Sequence, residues 1–156
     1  MNPPAFRYYL RVRYGECDAQ KVVFNARYGD YVDLASAAFI NALGYAEQST
    51  SGELDWQLVK QTIEWKSPAR FGDALQVSVT APRLGTTSFT LAFDFRIVGR
   101  EQVSAHCETV YVLVGSSGGG LRKRELPAGF RERLQHGAVG RICDHAGLFT
   151  RDGVGA

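Results

Sequence analysis

Hydrophobic positions alternate at the start of this chain. From Phe6 to Tyr14, one face carries Tyr8, Leu10, Val12 and Tyr14 and the other Arg7, Tyr9, Arg11 and Arg13. That period of two predicts a half-buried strand. A polar segment without periodicity, Gly15 to Lys21, follows. The spacing then changes to three and four: Tyr28, Tyr31, Val32, Ala35, Ala38, Phe39, Ala42 and Leu43 form a helical stripe, widened by Leu34 and Ile40. A helix from Ala26 to Leu43 would be about 27 Å long. Asn25 suits its N-cap and Gly44 its C-terminal stop.

Beyond the polar stretch Gln48 to Asp55 the period of two returns. Val59, Ile63 and Trp65 oppose Lys60, Thr62 and Glu64; Leu75, Val77 and Val79 oppose Gln76, Ser78 and Thr80; Phe89, Leu91, Phe93, Phe95 and Ile97 form a third set. A last strand, through Val103, Ala105, Cys107, Tyr111 and Leu113, is partly apolar on both faces and so belongs at the centre of a sheet or at an interface. Breaks at 67–73, 82–85 and 99–100 are short, which favours antiparallel neighbours. After Gly115 come a glycine loop, the basic run Arg122-Lys123-Arg124 and a short helix over 126–135 with Pro127 near its start. Residues 136–156 hold five glycines and little periodicity, and read as a tail that orders only on a partner. The pattern predicts a two-layer α+β domain over 1–135, one long helix on a five-stranded antiparallel sheet, followed by the tail.

With 156 residues the chain can bury a core without disulfides or metals. Its charge, 18 − 16 = +2, is too balanced for a general nucleic-acid binder. Cys17, Cys107 and Cys143 contain no C-x-x-C pair, so neither a disulfide framework nor a zinc site is indicated. No apolar run reaches the length of a membrane span or a signal peptide. The expectation is a soluble cytoplasmic protein engaging neither nucleic acid nor membrane.

The run Gly115-Ser116-Ser117-Gly118-Gly119 matches G-x-S-x-G, but glycines and a basic run follow where a nucleophile elbow needs a helix. Three scattered histidines, His106, His136 and His145, make no metal cluster, and His106 with Glu108 reads as a surface or interface pair. Chemistry concentrates instead before the long helix. Glu16 and Asp18 precede a helix N-terminus, whose unpaired N–H groups and positive dipole end stabilise an oxyanion. A carboxylate there can cap the helix, or serve as base or nucleophile toward a carbonyl that those N–H groups polarise.

The segment RYGECDAQKVVFNARYGDYVDLA, Arg13 to Ala35, resembles the signature of the hotdog-fold acyl-CoA thioesterases of the 4-hydroxybenzoyl-CoA thioesterase type, and SPARFGD, Ser67 to Asp73, is similar to that family's turn into its third strand. The likeness spans about residues 6 to 115. The resemblance implies hydrolysis of an acyl-CoA thioester without cofactor or metal. In it, Asp18 matches the catalytic carboxylate, acting as nucleophile or through a water. Asn25 matches the residue whose backbone N–H polarises the thioester carbonyl, and Asn25 and Tyr28 match positions that shape the site. Coenzyme A would be its small-molecule partner, with Arg70, Arg83 and Lys123 or Arg124 as candidate phosphate contacts. A homodimer, or a larger homo-oligomer such as a tetramer or hexamer, is implied with it.

One departure bears on the chemistry. Lys21 stands where the family commonly has glycine, and a lysine cannot take positive φ cheaply. Its charge can lower the Asp18 pKa or reach the coenzyme's phosphates. A hotdog dehydratase would carry a histidine soon after its aspartate, and none lies between Asp18 and Gly44. The alternative to the enzyme is a non-catalytic acyl-thioester binding module, which has no need of Asp18.

Overall fold

The computed structural model describes residues 3–116 and 120–149. Strand β1 (Phe6–Arg11) leads through a polar segment to helix α1 (Arg27–Ala42) and a short helix α2 (Ala46–Ser51). Strands β2 (Asp55–Trp65), β3 (Ala74–Leu84), β4 (Ser88–Ile97) and β5 (Val103–Ser116) follow. Then come β6 (Leu121–Lys123), α3 (Ala128–His136) and β7 (Ile142–Asp144). The sheet order is β2-β5-β4-β3-β1-β7, and β6 pairs with the end of β5.

Alternation turns Leu75, Val77 and Val79 of β3 and Phe89, Leu91, Phe93 and Phe95 of β4 toward α1. The helix answers with Tyr28, Tyr31, Val32, Ala35, Phe39 and Ile40, all buried at three- and four-residue spacing. Each large apolar side chain so buried contributes roughly 1.5–3 kcal/mol, which holds the α1 N-terminus over the sheet. Leu34 stays 40% exposed on the outer face of α1, so the apolar stripe is narrower there than the sequence implied. No helix among the described residues is long and apolar enough to cross a membrane.

The α+β fold is the expected one, with differences of detail. β5 is central, flanked by β2 and β4, which explains its two apolar faces. Among the described residues the sheet has seven strands rather than five and is mixed, because β7 runs parallel to β1, with Tyr8 opposite Cys143. Residues 140–149, which carry no periodicity and were expected to order only on a partner, therefore run along the chain's own β1 edge. β3 continues past its expected end. Pro82 cannot donate to the ladder, and a register shift between Thr80 and Arg83 accommodates it before the strand resumes. Asn25 is not the N-cap: that position is Ala26, which has no capping side chain. Residues 117–119 of the G-x-S-x-G run and the last residues of the tail lie outside those described.

Candidate active site

The polar segment before α1 folds back on itself. A 3₁₀ turn, Tyr14–Glu16, is followed by Cys17 bridged to Val23, with the Phe24 N–H donating to the Glu16 carbonyl at 3.0 Å. Asp18 N–H donates to Val22 O at 2.9 Å, so Asp18 to Lys21 form the tip of a small hairpin. Its returning limb is held by the 67–73 turn: Val22 bridges Arg70, and the Val23 N–H donates to Ala69 O at 2.9 Å. Val23 is buried, which anchors the hairpin to the core. At the tip, Asp18 Oδ1 accepts the Gln20 N–H at 2.8 Å while the carboxylate stays exposed. Lys21 adopts φ +65°, the left-handed conformation expected at the position the family gives to glycine. For a non-glycine residue this costs about 1–2 kcal/mol.

Glu16 and Asp18 have separate roles, and neither caps α1. One Glu16 oxygen accepts both the Arg13 N–H at 2.7 Å and the Tyr31 hydroxyl at 2.9 Å. Burial first, and then that bond to Glu16, push the Tyr31 phenol far above its usual range. Glu16 thus braces the segment against α1, whereas the exposed Asp18 carboxylate accepts only the Gln20 N–H among the described residues.

The chain enters α1 through a turn. Arg27 N–H donates to Phe24 O at 2.9 Å and Tyr28 N–H to Asn25 O at 3.3 Å. The Asn25 and Ala26 N–H groups have no backbone acceptor among the described residues. Tyr28, in the first turn of the helix, is 2% exposed and ringed by Tyr31, Trp65 and Phe95 at 5.7, 6.1 and 5.4 Å between centroids. Its hydroxyl, near the Ala69 backbone, makes no hydrogen bond of good geometry. The segment therefore carries an exposed carboxylate and, a few residues on, helix-entry N–H groups without a backbone acceptor among the described residues, next in the chain to a buried aromatic cluster.

Comparison with known proteins agrees with this arrangement. The family model described as the thioesterase-like superfamily matches residues 12–134. The chain belongs to that superfamily. Over 102 residues it is 31% identical to the acyl-CoA thioester hydrolase YbgC of Escherichia coli, covering 65% of this chain and 75% of that protein. Over 128 residues it is 29% identical to the 1,4-dihydroxy-2-naphthoyl-CoA hydrolase of Synechococcus elongatus, covering 80% and 90%. A solved gentisyl-coenzyme A thioesterase superposes with a TM-score of 0.70 at 25% identity, covering 82% of this chain and 98% of that one. The fold is the hotdog arrangement of the thioesterase-like superfamily.

Of the basic candidates in this thioesterase-like chain, Lys21 and Arg70 lie at the hairpin. Arg70 faces Val22, and its N–H donates to Asp73 Oδ2 at 2.8 Å. Arg83 lies near the other end of the eleven-residue β3, about 30 Å away at the rise of a strand. There it pairs with Glu108 at 2.5 Å, so a single protomer does not bring Arg83 to Asp18. His106 pairs not with Glu108 but with Asp94 on the neighbouring strand, at 2.7 Å, because cross-strand neighbours lie closer than positions two apart on one strand. Arg124 donates to Glu53 O. A cavity of about 680 Å³ lies at the far end of α1, where Arg133 and Arg141 donate to the Leu43 and Ala42 carbonyls. Those arginines cap the helix C-terminus. Among the described residues, no three His, Cys, Asp or Glu side chains are grouped to hold a metal. Sequence reading missed the Glu16–Tyr31 brace, for which fifteen residues of separation leave no local signal.

Proposed function

We propose that the chain hydrolyses acyl-CoA thioesters. Asp18 acts as general base or nucleophile, and the N–H at Asn25 polarises the thioester carbonyl. The observation that carries this reading is the exposed Asp18 carboxylate at the tip of a hairpin whose far limb runs into the unpaired N–H groups at the start of α1. In the base form, Asp18 takes a proton from water as the water oxygen bonds to the carbonyl carbon. The N–H groups stabilise the oxyanion; the C–S bond then breaks and coenzyme A leaves as a thiolate. A thiolate is a good leaving group, so one carboxylate and one dipole end suffice. Trp65, half-exposed, walls the acyl side with the buried Tyr28 packed behind it, and Lys21 and Arg70 carry charge complementary to the coenzyme's phosphates. The acyl-CoA thioester hydrolase activity in the name of the YbgC relative supports the same reaction class.

A homodimer, or a larger even assembly built from it, fits the open edge. β2 is eleven residues long, has a neighbour on one side only among the described residues, and exposes Leu58, Val59 and Trp65. Unprotected apolar edges of that length are rare in monomers. Three free cysteines suit a reducing compartment such as the cytoplasm.

Thiol release from a panel of aliphatic and aromatic acyl-CoAs tests the reaction. Wild type should turn over at least one member, and Asp18→Asn, which keeps the acceptor for the Gln20 N–H, should lower kcat at least about 10²-fold with an unchanged melting curve. Equal rates in both would remove Asp18 from the mechanism. Saturable binding without turnover would instead mark a non-catalytic acyl-thioester binding module.

A further inference from the structure

We propose that Tyr14 and Phe71 form a stacking platform for the adenine ring of coenzyme A, an assignment that rests on the acyl-CoA reading above. The two side chains are 80% and 60% exposed, and their rings meet edge to face at 5.8 Å between centroids and 90° between planes. Neither belongs to the buried core cluster. Single exposed aromatics are ordinary, but a contacting pair left open to water is a recognition feature.

The pair is fixed to the catalytic hairpin on both sides. Tyr14 opens the 3₁₀ turn, and its carbonyl accepts the Cys17 N–H at 3.2 Å. Phe71 sits in the turn where Arg70 bridges Val22, and its backbone lies beside the Cys17 thiol. That turn is tied down by Gly72 N–H to Val12 O at 3.1 Å and Asp73 N–H to Arg70 O at 3.0 Å. The backbones of both residues therefore flank Cys17, the residue preceding Asp18.

Charge selects the occupant. Lys21 and Arg70 project from the same hairpin and turn, and neither has an ion-pair partner among the described residues. Coenzyme A carries phosphates next to its one aromatic ring, so adjacent cations and an open aromatic face match its nucleotide end. An aromatic face stacks any base without hydrogen-bond readout.

The experiment compares an acyl-CoA with the same acyl group on pantetheine, which lacks the nucleotide, and adds calorimetric titration of coenzyme A itself. Tyr14→Ala and Phe71→Ala should each raise KM for the acyl-CoA about tenfold and weaken coenzyme A binding equally. Turnover of the acyl-pantetheine should be unchanged, and Tyr14→Phe should behave as wild type. Equal losses on both substrates, or no loss on either, would overturn the platform. So would an altered oligomeric state of the alanine variants by size-exclusion chromatography, which would make the pair an interface contact. If wild type hydrolyses neither substrate, the thioesterase reading fails, and the coenzyme A titration still decides the platform.

Discussion

The Lys21 N–H donates to the Asp18 carbonyl at 2.9 Å, closing a turn in which Lys21 alone among the described non-glycine residues has positive φ. The candidate catalytic carboxylate thus sits at one end of a strained turn and a cation at the other. Strain of this kind persists where the surroundings over-determine the backbone, and it clusters at functional sites.

Lys21→Gly is expected to relieve that strain. The left-handed conformation costs about 1–2 kcal/mol, and the added freedom of glycine in the unfolded chain returns about 0.5–1 kcal/mol. The variant should therefore be more stable by about 0.5–1 kcal/mol in urea unfolding, while its KM for acyl-CoA rises several-fold with the ammonium gone. A loss of stability would show that the Lys21 side chain holds the hairpin.

Tyr31→Phe removes the hydroxyl donor to Glu16 at 2.9 Å from a residue only 1% exposed. A hydrogen bond to a charged group is worth about 1.5–3 kcal/mol, and Glu16 keeps the Arg13 N–H. A destabilisation of about 1–2 kcal/mol, with a lower kcat from a looser hairpin, is the expected result. Unchanged urea midpoint and kcat would mean that the brace carries no load.

Alkaline pH should weaken the fold. Burial pushes up the phenols of Tyr8, Tyr28, Tyr31 and Tyr111, and burial followed by Glu108 pushes the Cys107 thiol up to about 12. These groups stay protonated in the folded chain while the unfolded chain ionises its cysteine near pH 8.5 and its tyrosines near pH 10. Above those values the unfolded state binds fewer protons, so stability is complete below about pH 8 and falls as pH rises. Urea midpoints at pH 8, 10 and 11 should decrease in that order; a flat series contradicts the burial of these groups.

Gly44 takes φ +95°, and a Cβ there would collide with the guanidinium of Arg133, which donates to Leu43 O at 2.6 Å. Gly44→Ala should cost about 2 kcal/mol, from left-handed strain together with the displaced bond. In a double-mutant cycle with Arg133→Met the two losses should sum to more than the double variant shows, because the collision and the bond involve one guanidinium. Strict additivity would separate the two effects.

The sequence by itself determined the elements whose signal is local. Alternation marks β1 and the four long strands, a spacing of three and four marks α1, and Gly44 stops it, because side-chain direction depends on the residue's own backbone. It also pointed to Asp18, and to the positive φ at position 21 through the contrast with glycine. Tertiary structure decided what depends on pairing across distance. β7 is three residues long and exists because the β1 edge offers it a ladder. Glu16 is a brace and Asp18 the free carboxylate because Tyr31, on another element, reaches only the first. Arg70 meets the hairpin and Arg83 does not, since they stand near opposite ends of one strand. Residue types and spacing carry no information about which strand ends meet; register and layer packing supply it.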